Sequence, residues 1–117
     1  MKFISTKIHG MLDYTVGLLL IVSPWLFGFY DQTAAMYVPM ALGAMALVYS
    51  MFTNYELGLI KLLPVPTHLL LDILSGIVLA SSPWLFGFAE RVSLPHLILG
   101  TFEIVAAFMT ESAPRKR

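Results

Sequence analysis

The sequence predicts an all-α integral membrane protein: a four-helix bundle of two tandem transmembrane hairpins, related by a pseudo-twofold axis along the membrane normal. Three observations carry this. The 117 residues are 58% hydrophobic with a mean hydropathy of +0.81, and only 12% are charged, against about 25% in a soluble domain. One small core cannot hide that much apolar surface, so it must face lipid. Next, Ser23-Pro24-Trp25-Leu26-Phe27-Gly28-Phe29 returns unchanged as Ser82-Pro83-Trp84-Leu85-Phe86-Gly87-Phe88, and at the same offset His9, Asp13 and Gly17 become His68, Asp72 and Gly76 without a gap. Such a match points to a duplicated unit. The basic residues, finally, are sorted: Lys2, Lys7, Lys61, Arg115, Lys116 and Arg117 fall on one side of the spans and Arg91 alone on the other.

In chain order, Thr6 is the expected cap of the first helix, which runs to Ser23. Eighteen helical residues cover roughly 27 Å, close to the ~30 Å of a bilayer's hydrocarbon. A cleaved signal peptide is the rival reading. It is disfavoured because no small-x-small site follows and the pattern recurs inside the chain. Pro24 lacks an amide hydrogen, so it is expected to end or kink the helix. The carbonyl it frees needs the Ser23 hydroxyl, a neighbouring helix or water. Trp25 falls where an amphipathic ring favours the headgroup level, and Gly28 suits a turn there. The sharper reading of the motif is a ligand site at a broken helix.

The second span is expected from Met36 to Thr53, with Pro39 in its first turn and Tyr37 and Tyr49 as interfacial anchors. Residues 54–66 form the joint between repeat 1 (about 6–53) and repeat 2 (about 67–110), and 111–117 is a basic tail. The whole is one membrane domain, 1–117. Thr67 is the expected cap of the third span, which runs to Ser82, with Pro83, Trp84 and Gly87 following as Pro24, Trp25 and Gly28 do. The fourth span covers about 93–110. In this looser half of the unit, Leu42-Gly43 aligns with Leu99-Gly100.

The twice-used Ser-Pro-Trp motif, near the end of the first of two apolar helices, resembles that of the SPW-repeat family of small bacterial membrane proteins. The resemblance covers nearly the whole chain. It implies a pair of transmembrane helices per repeat and carries no activity to transfer.

Charge sets the orientation. The positive-inside rule places both termini and the joint in the cytoplasm of a bacterial inner membrane, and the Ser-Pro-Trp segments at the outer face. The lipid bilayer is the first partner. Four helices bury little surface, so a homo-oligomer or a larger membrane partner is expected. Zero formal net charge argues against nucleic acid, and the absence of cysteine excludes disulfides and thiolate chemistry. No phosphate loop, nucleophile elbow or zinc-protease helix appears, and no cofactor is predicted from motifs.

His9, Asp13 and Gly17, spaced by four, make one helical stripe, as do His68, Asp72 and Gly76. Glycine admits a close backbone, so the first and third helices are expected to cross at Gly17 and Gly76, with the two His-Asp pairs facing each other. Asp13 then lies about 10 Å into the membrane and Asp72 about 8 Å, where a carboxylate needs a partner or a proton. Three readings are open: a structural network, a proton or small-ion site, or a divalent metal held by two imidazoles and two carboxylates. Glu103, about 12 Å in from Pro95, has Ala46 as its counterpart. It reads either as a functional carboxylate or as a protonated group bonded to a neighbour. His96 reads as a first-turn surface residue. The predicted function is a structural or interaction protein, with a minimal proton or cation transporter second and a metal-dependent membrane enzyme third.

Overall fold

The structure, a computed structural model, describes residues 2–115; Lys116 and Arg117 of the basic tail lie outside them. Four helices follow in order: α1 (Thr6–Leu26), α2 (Ala34–Met51), α3 (Val65–Leu85) and α4 (Leu94–Met109). The described residues contain no strand, only two isolated parallel bridges, Ile4 with Thr110 and Thr53 with Leu63. α1, α2 and α3 are long and apolar enough to cross a membrane; α4, at 16 residues, is shorter.

The helix starts differ from expectation. Ser5, not Thr6, caps α1, its Oγ accepting from the Ile8 amide at 3.2 Å. α3 begins two residues before Thr67. Pro64 is its N-cap and Pro66 stands in the first turn, where the missing N–H would be unpaired anyway.

The Ser-Pro pairs do not stop their helices. Pro24 removes the amide that would serve the Leu20 carbonyl, and the Ser23 hydroxyl donates to that carbonyl at 2.7 Å. Ser82 does the same for Leu79 at 2.7 Å, one turn before Pro83. With the orphan carbonyl satisfied, each helix runs on through the tryptophan to Leu26 or Leu85. What ends it is the glycine. Gly28 and Gly87 sit at φ +74° and +73°, and the next amide folds back onto the proline carbonyl, Phe29 to Pro24 at 2.9 Å and Phe88 to Pro83 at 2.7 Å. That is the Schellman closure, which a left-handed glycine permits. The expected helix break thus moves from Pro24 and Pro83 to Gly28 and Gly87. Trp25 and Trp84 stay more than half exposed beside it.

The glycine crossing also differs from expectation. α1 packs along α2 and α3 along α4, and the hairpins meet chiefly through α2 and α3. A Cβ on Gly43 would stand 2.6 Å from the Gly17 carbonyl oxygen, and one on Gly76 would stand 2.6 Å from that of Gly100. Gly17 and Gly76 therefore face the second helix of their own hairpin instead of each other.

The packing is inside-out for water. Buried faces carry His9, Asp13, Gly17, Ser23, His68, Asp72, Gly76 and Ser82, while Leu18, Val22, Met45, Leu74, Ile77, Ile98 and Phe108 point outward. Only 39%, 33% and 39% of the most apolar stretches of α1, α2 and α3 are covered, so most of each helix needs an apolar solvent.

The joint holds no helix. It folds in turns against the α1 and α3 starts. The Thr6 hydroxyl donates to Glu56 at 2.7 Å, the Tyr14 hydroxyl to the Leu57 carbonyl at 2.9 Å, and Tyr55 is buried with Val65, Leu69 and Ala107. At the opposite end Arg91 pairs with Asp31 and bonds the Thr33 hydroxyl at 3.2 Å, tying the two loops together. Burial alone would push the Asp31 carboxyl up, but bonds from Thr33 and Arg91 outweigh it and hold the group low.

Candidate functional site

α1 delivers His9 and Asp13 one turn apart, and α3 delivers His68 and Asp72 in the same way. All four are buried, and the structure brings them into one cluster. His9 Nε2 lies 2.7 Å from Asp72 Oδ2 and 3.1 Å from Asp13 Oδ1. His68 Nε2 lies 2.9 Å from Asp13 Oδ2 and 3.2 Å from Asp72 Oδ2. Each imidazole thus meets the carboxylate of its own helix and that of the other hairpin.

The far side of each ring is held by a threonine. His9 Nδ1 is 2.7 Å from Thr110 Oγ1, and His68 Nδ1 is 2.7 Å from Thr53 Oγ1. Each hydroxyl donates its single hydrogen to a carbonyl one turn back on its own chain, Thr110 to Ala106 and Thr53 to Tyr49, both at 2.6 Å. A hydroxyl so engaged can only accept from the ring. The network therefore assigns Nδ1–H to both histidines and aims both Nε2 atoms at the carboxylates; His9 Nε2, bonded to Asp72 at 2.7 Å, then carries a hydrogen as well. The threonines are exchanged: the one at the end of α2 serves α3, and the one at the end of α4 serves α1.

Two tyrosines fix the carboxylates. Tyr49 donates to Asp72 Oδ1 at 2.5 Å and Tyr55 to Asp13 Oδ2 at 2.6 Å. Burial, then the Asp13 charge, pushes the Tyr55 phenol far up, so it stays a donor. His68 Nε2 differs from the other polar atoms of the cluster. It is fully buried, yet neither carboxylate lies in line for a hydrogen bond to it.

Beside the tetrad lies a cavity lined by His9, Asp13, Gly17, Leu20, Asp72 and Glu103 among others, with about 20 Å³ of room for water centres. That fits about one water molecule. Glu103 Oε1 has no hydrogen-bond partner among the described residues. The cavity does not join the opposite end of the bundle, where Phe29, Phe88 and Ala35 are buried together. His96 sits between the two phenylalanines, 4.9 Å from each ring centroid, and bonds the Ala35 carbonyl at 2.7 Å. It is buried, not a first-turn surface residue, because the loops fold Phe29 and Phe88 over it.

Sequence reasoning missed Tyr49, Thr53, Tyr55 and Thr110, and placed Tyr49 at an interface instead. One signal was available. Setting Leu42-Gly43 against Leu99-Gly100 puts Thr53 opposite Thr110. The tyrosines left no such mark, since Ala106 and Ser112 stand at the matching positions.

Fold and cluster together define a helical protein of membrane type, with apolar helices turned outward around a buried two-histidine, two-aspartate centre. Its sequence matches the SPW repeat domain over residues 7–110, and the chain belongs to that family. No curated protein and no solved structure matches it.

Proposed function

We propose that this is a small structural or interaction protein of the bacterial inner membrane, crossing it four times. The two repeats descend from one duplicated hairpin. They insert the same way round, both termini cytoplasmic, about a pseudo-twofold axis along the membrane normal. The paired bridges, Ile4 with Thr110 and Thr53 with Leu63, and the threonine exchange support that symmetry. The long axis of 48 Å suits a bilayer of ~40–45 Å with headgroups. α4 is the short span, and local thinning accommodates it at modest cost. The outward apolar faces support self-association or a larger membrane partner.

The observation that carries the structural reading is the tetrad itself. It clasps the two hairpins crosswise, and both carboxylates are held by hydrogen bonds. The plug of Phe29, His96 and Phe88 works against a through-path. One observation favours the second reading, a proton or cation route: the cavity brings Glu103 to the tetrad.

Vesicles carrying the purified protein and an internal pH dye separate the two. The structural reading expects no proton flux above protein-free vesicles. It also expects Asp13→Asn/Asp72→Asn to lower unfolding free energy by about 3 kcal/mol or more, as when one partner of a buried pair is removed. Flux in the wild type that disappears in the double variant would give the site to transport.

A further inference from the structure

The geometry points to the tetrad as a binding site for one divalent first-row metal ion, zinc(II) the best fit, held by His9 Nε2, His68 Nε2, Asp13 and Asp72. The inference rests on the clasp reading and adds what sits at the clasp's centre. Four residues each offer one ligand atom, and these atoms lie within 4.8 Å of one another. Two imidazole nitrogens and two carboxylate oxygens form a donor set for zinc, iron or manganese, and the lack of a thiolate disfavours copper(I). Four protein ligands make the closed tetrahedral set of a structural site.

The surroundings argue more strongly than the ligands. A metal-bound histidine donates its remote ring N–H to an outer partner, which fixes the tautomer and turns the other nitrogen inward. Thr53 and Thr110 do this for both rings, and their own hydrogens are engaged elsewhere. Tyr49 and Tyr55 orient the carboxylates in the same way. His68 Nε2 is fully buried, aimed into the cluster and without a hydrogen bond, which is the state of a lone pair kept for a ligand.

Charge and size agree. Two aspartates bring two negative charges into a low-dielectric interior, and one divalent cation cancels both without two extra protons. Metal–ligand bonds of ~2.0–2.2 Å in a tetrahedron set neighbouring ligand atoms about 3.4 Å apart. The present His–Asp approaches of 2.7–3.2 Å need to open by a few tenths of an ångström, and the widest ligand pair, within 4.8 Å, has to close by about 1 Å. A cavity with room for about one water adjoins the cluster.

The test uses the full chain in nanodiscs, stripped with a chelator and then titrated with Zn²⁺ or Co²⁺. The expected result is one metal per chain by elemental analysis, with tetrahedral-intensity visible bands for cobalt. Thr53→Val and Thr110→Val should each weaken binding about 10–100-fold while the stoichiometry stays at one. Asp13→Asn/Asp72→Asn should abolish binding, and Glu103→Gln should leave it intact. If the aspartate variant does not fold, cobalt spectra of the wild type and the threonine variants decide alone. A folded wild type that takes up no stoichiometric metal overturns the site, as does full binding by a folded aspartate variant. The clasp reading fails separately, if metal-free wild type and the aspartate variant unfold at the same point.

Discussion

A serine before a proline inside an apolar helix repairs what the proline removes. Ser23 and Ser82 each reach back to the carbonyl that lost its amide, so the pair acts as one device. Ser23→Ala leaves the Leu20 carbonyl buried and unpaired, at an expected cost of about 1–3 kcal/mol. Pro24→Ala restores an amide to that carbonyl, so Ser23→Ala/Pro24→Ala should recover most of the loss. Unfolding in mixed micelles measures both, and two penalties that simply add would refute the pairing. The same scale shows how much of the site could be read beforehand. His9, Asp13, His68 and Asp72 were legible because they repeat at helical spacing and are costly in lipid. The threonines sit where the repeat match has loosened. Tyr49 and Tyr55 reach the two aspartates from unequal positions, which only tertiary packing reveals. The burial of His96 was hidden in the same way, since it depends on where two loops place Phe29 and Phe88.

Among the helices, glycine has two separate uses. At Gly43 and Gly100 it lets backbones touch. A Cβ there would come 2.6 Å from the Gly17 oxygen and 2.5 Å from the Ala80 nitrogen, and backbone cannot swing aside. Alanine at either should wedge its hairpin apart and cost about 1–3 kcal/mol. At Gly28 and Gly87 a Cβ would meet nothing within 4 Å. Alanine there bears only the left-handed backbone penalty of about 1 kcal/mol. Chemical unfolding of the four single variants should rank the crossing glycines above the capping ones, and the reverse order would mean that the helix ends, not the crossings, limit stability. The four helices and their pairing into two hairpins were visible in the sequence from length, apolarity and the repeat, but the partner of the glycine stripe was not. The stripe containing Gly17 shows that this face is thin without saying which backbone fills the gap. The nearest candidates, Gly43 and Gly100, lie in the poorly aligned half of the unit. The helix ends differ from expectation for a local reason: a proline is expected to end or kink a helix, and the serine beside it keeps the helix going.

At the scale of the molecule, the paired bridges place the start of α1 against the end of α4 as the start of α3 lies against the end of α2. All four of these helix ends then belong to one end of the bundle, with the tetrad just inside. Gln32 and Glu90, in the hairpin loops, belong to the other. Lys2, Lys7 and Lys61 belong to the first end, the one proposed above to face the cytoplasm. The chain has no cysteine, so single cysteines can be introduced without background. A membrane-impermeant maleimide applied to spheroplasts should label Gln32→Cys and Glu90→Cys. It should reach Lys2→Cys and Asn54→Cys only after the membrane is opened. Each loop variant should be labelled at least ten times more than either joint-end variant before opening. If Gln32→Cys and Glu90→Cys label from opposite sides, the hairpins are inverted relative to each other. His9 and Asp72 would then sit at different depths, and neither the clasp nor the metal site could form.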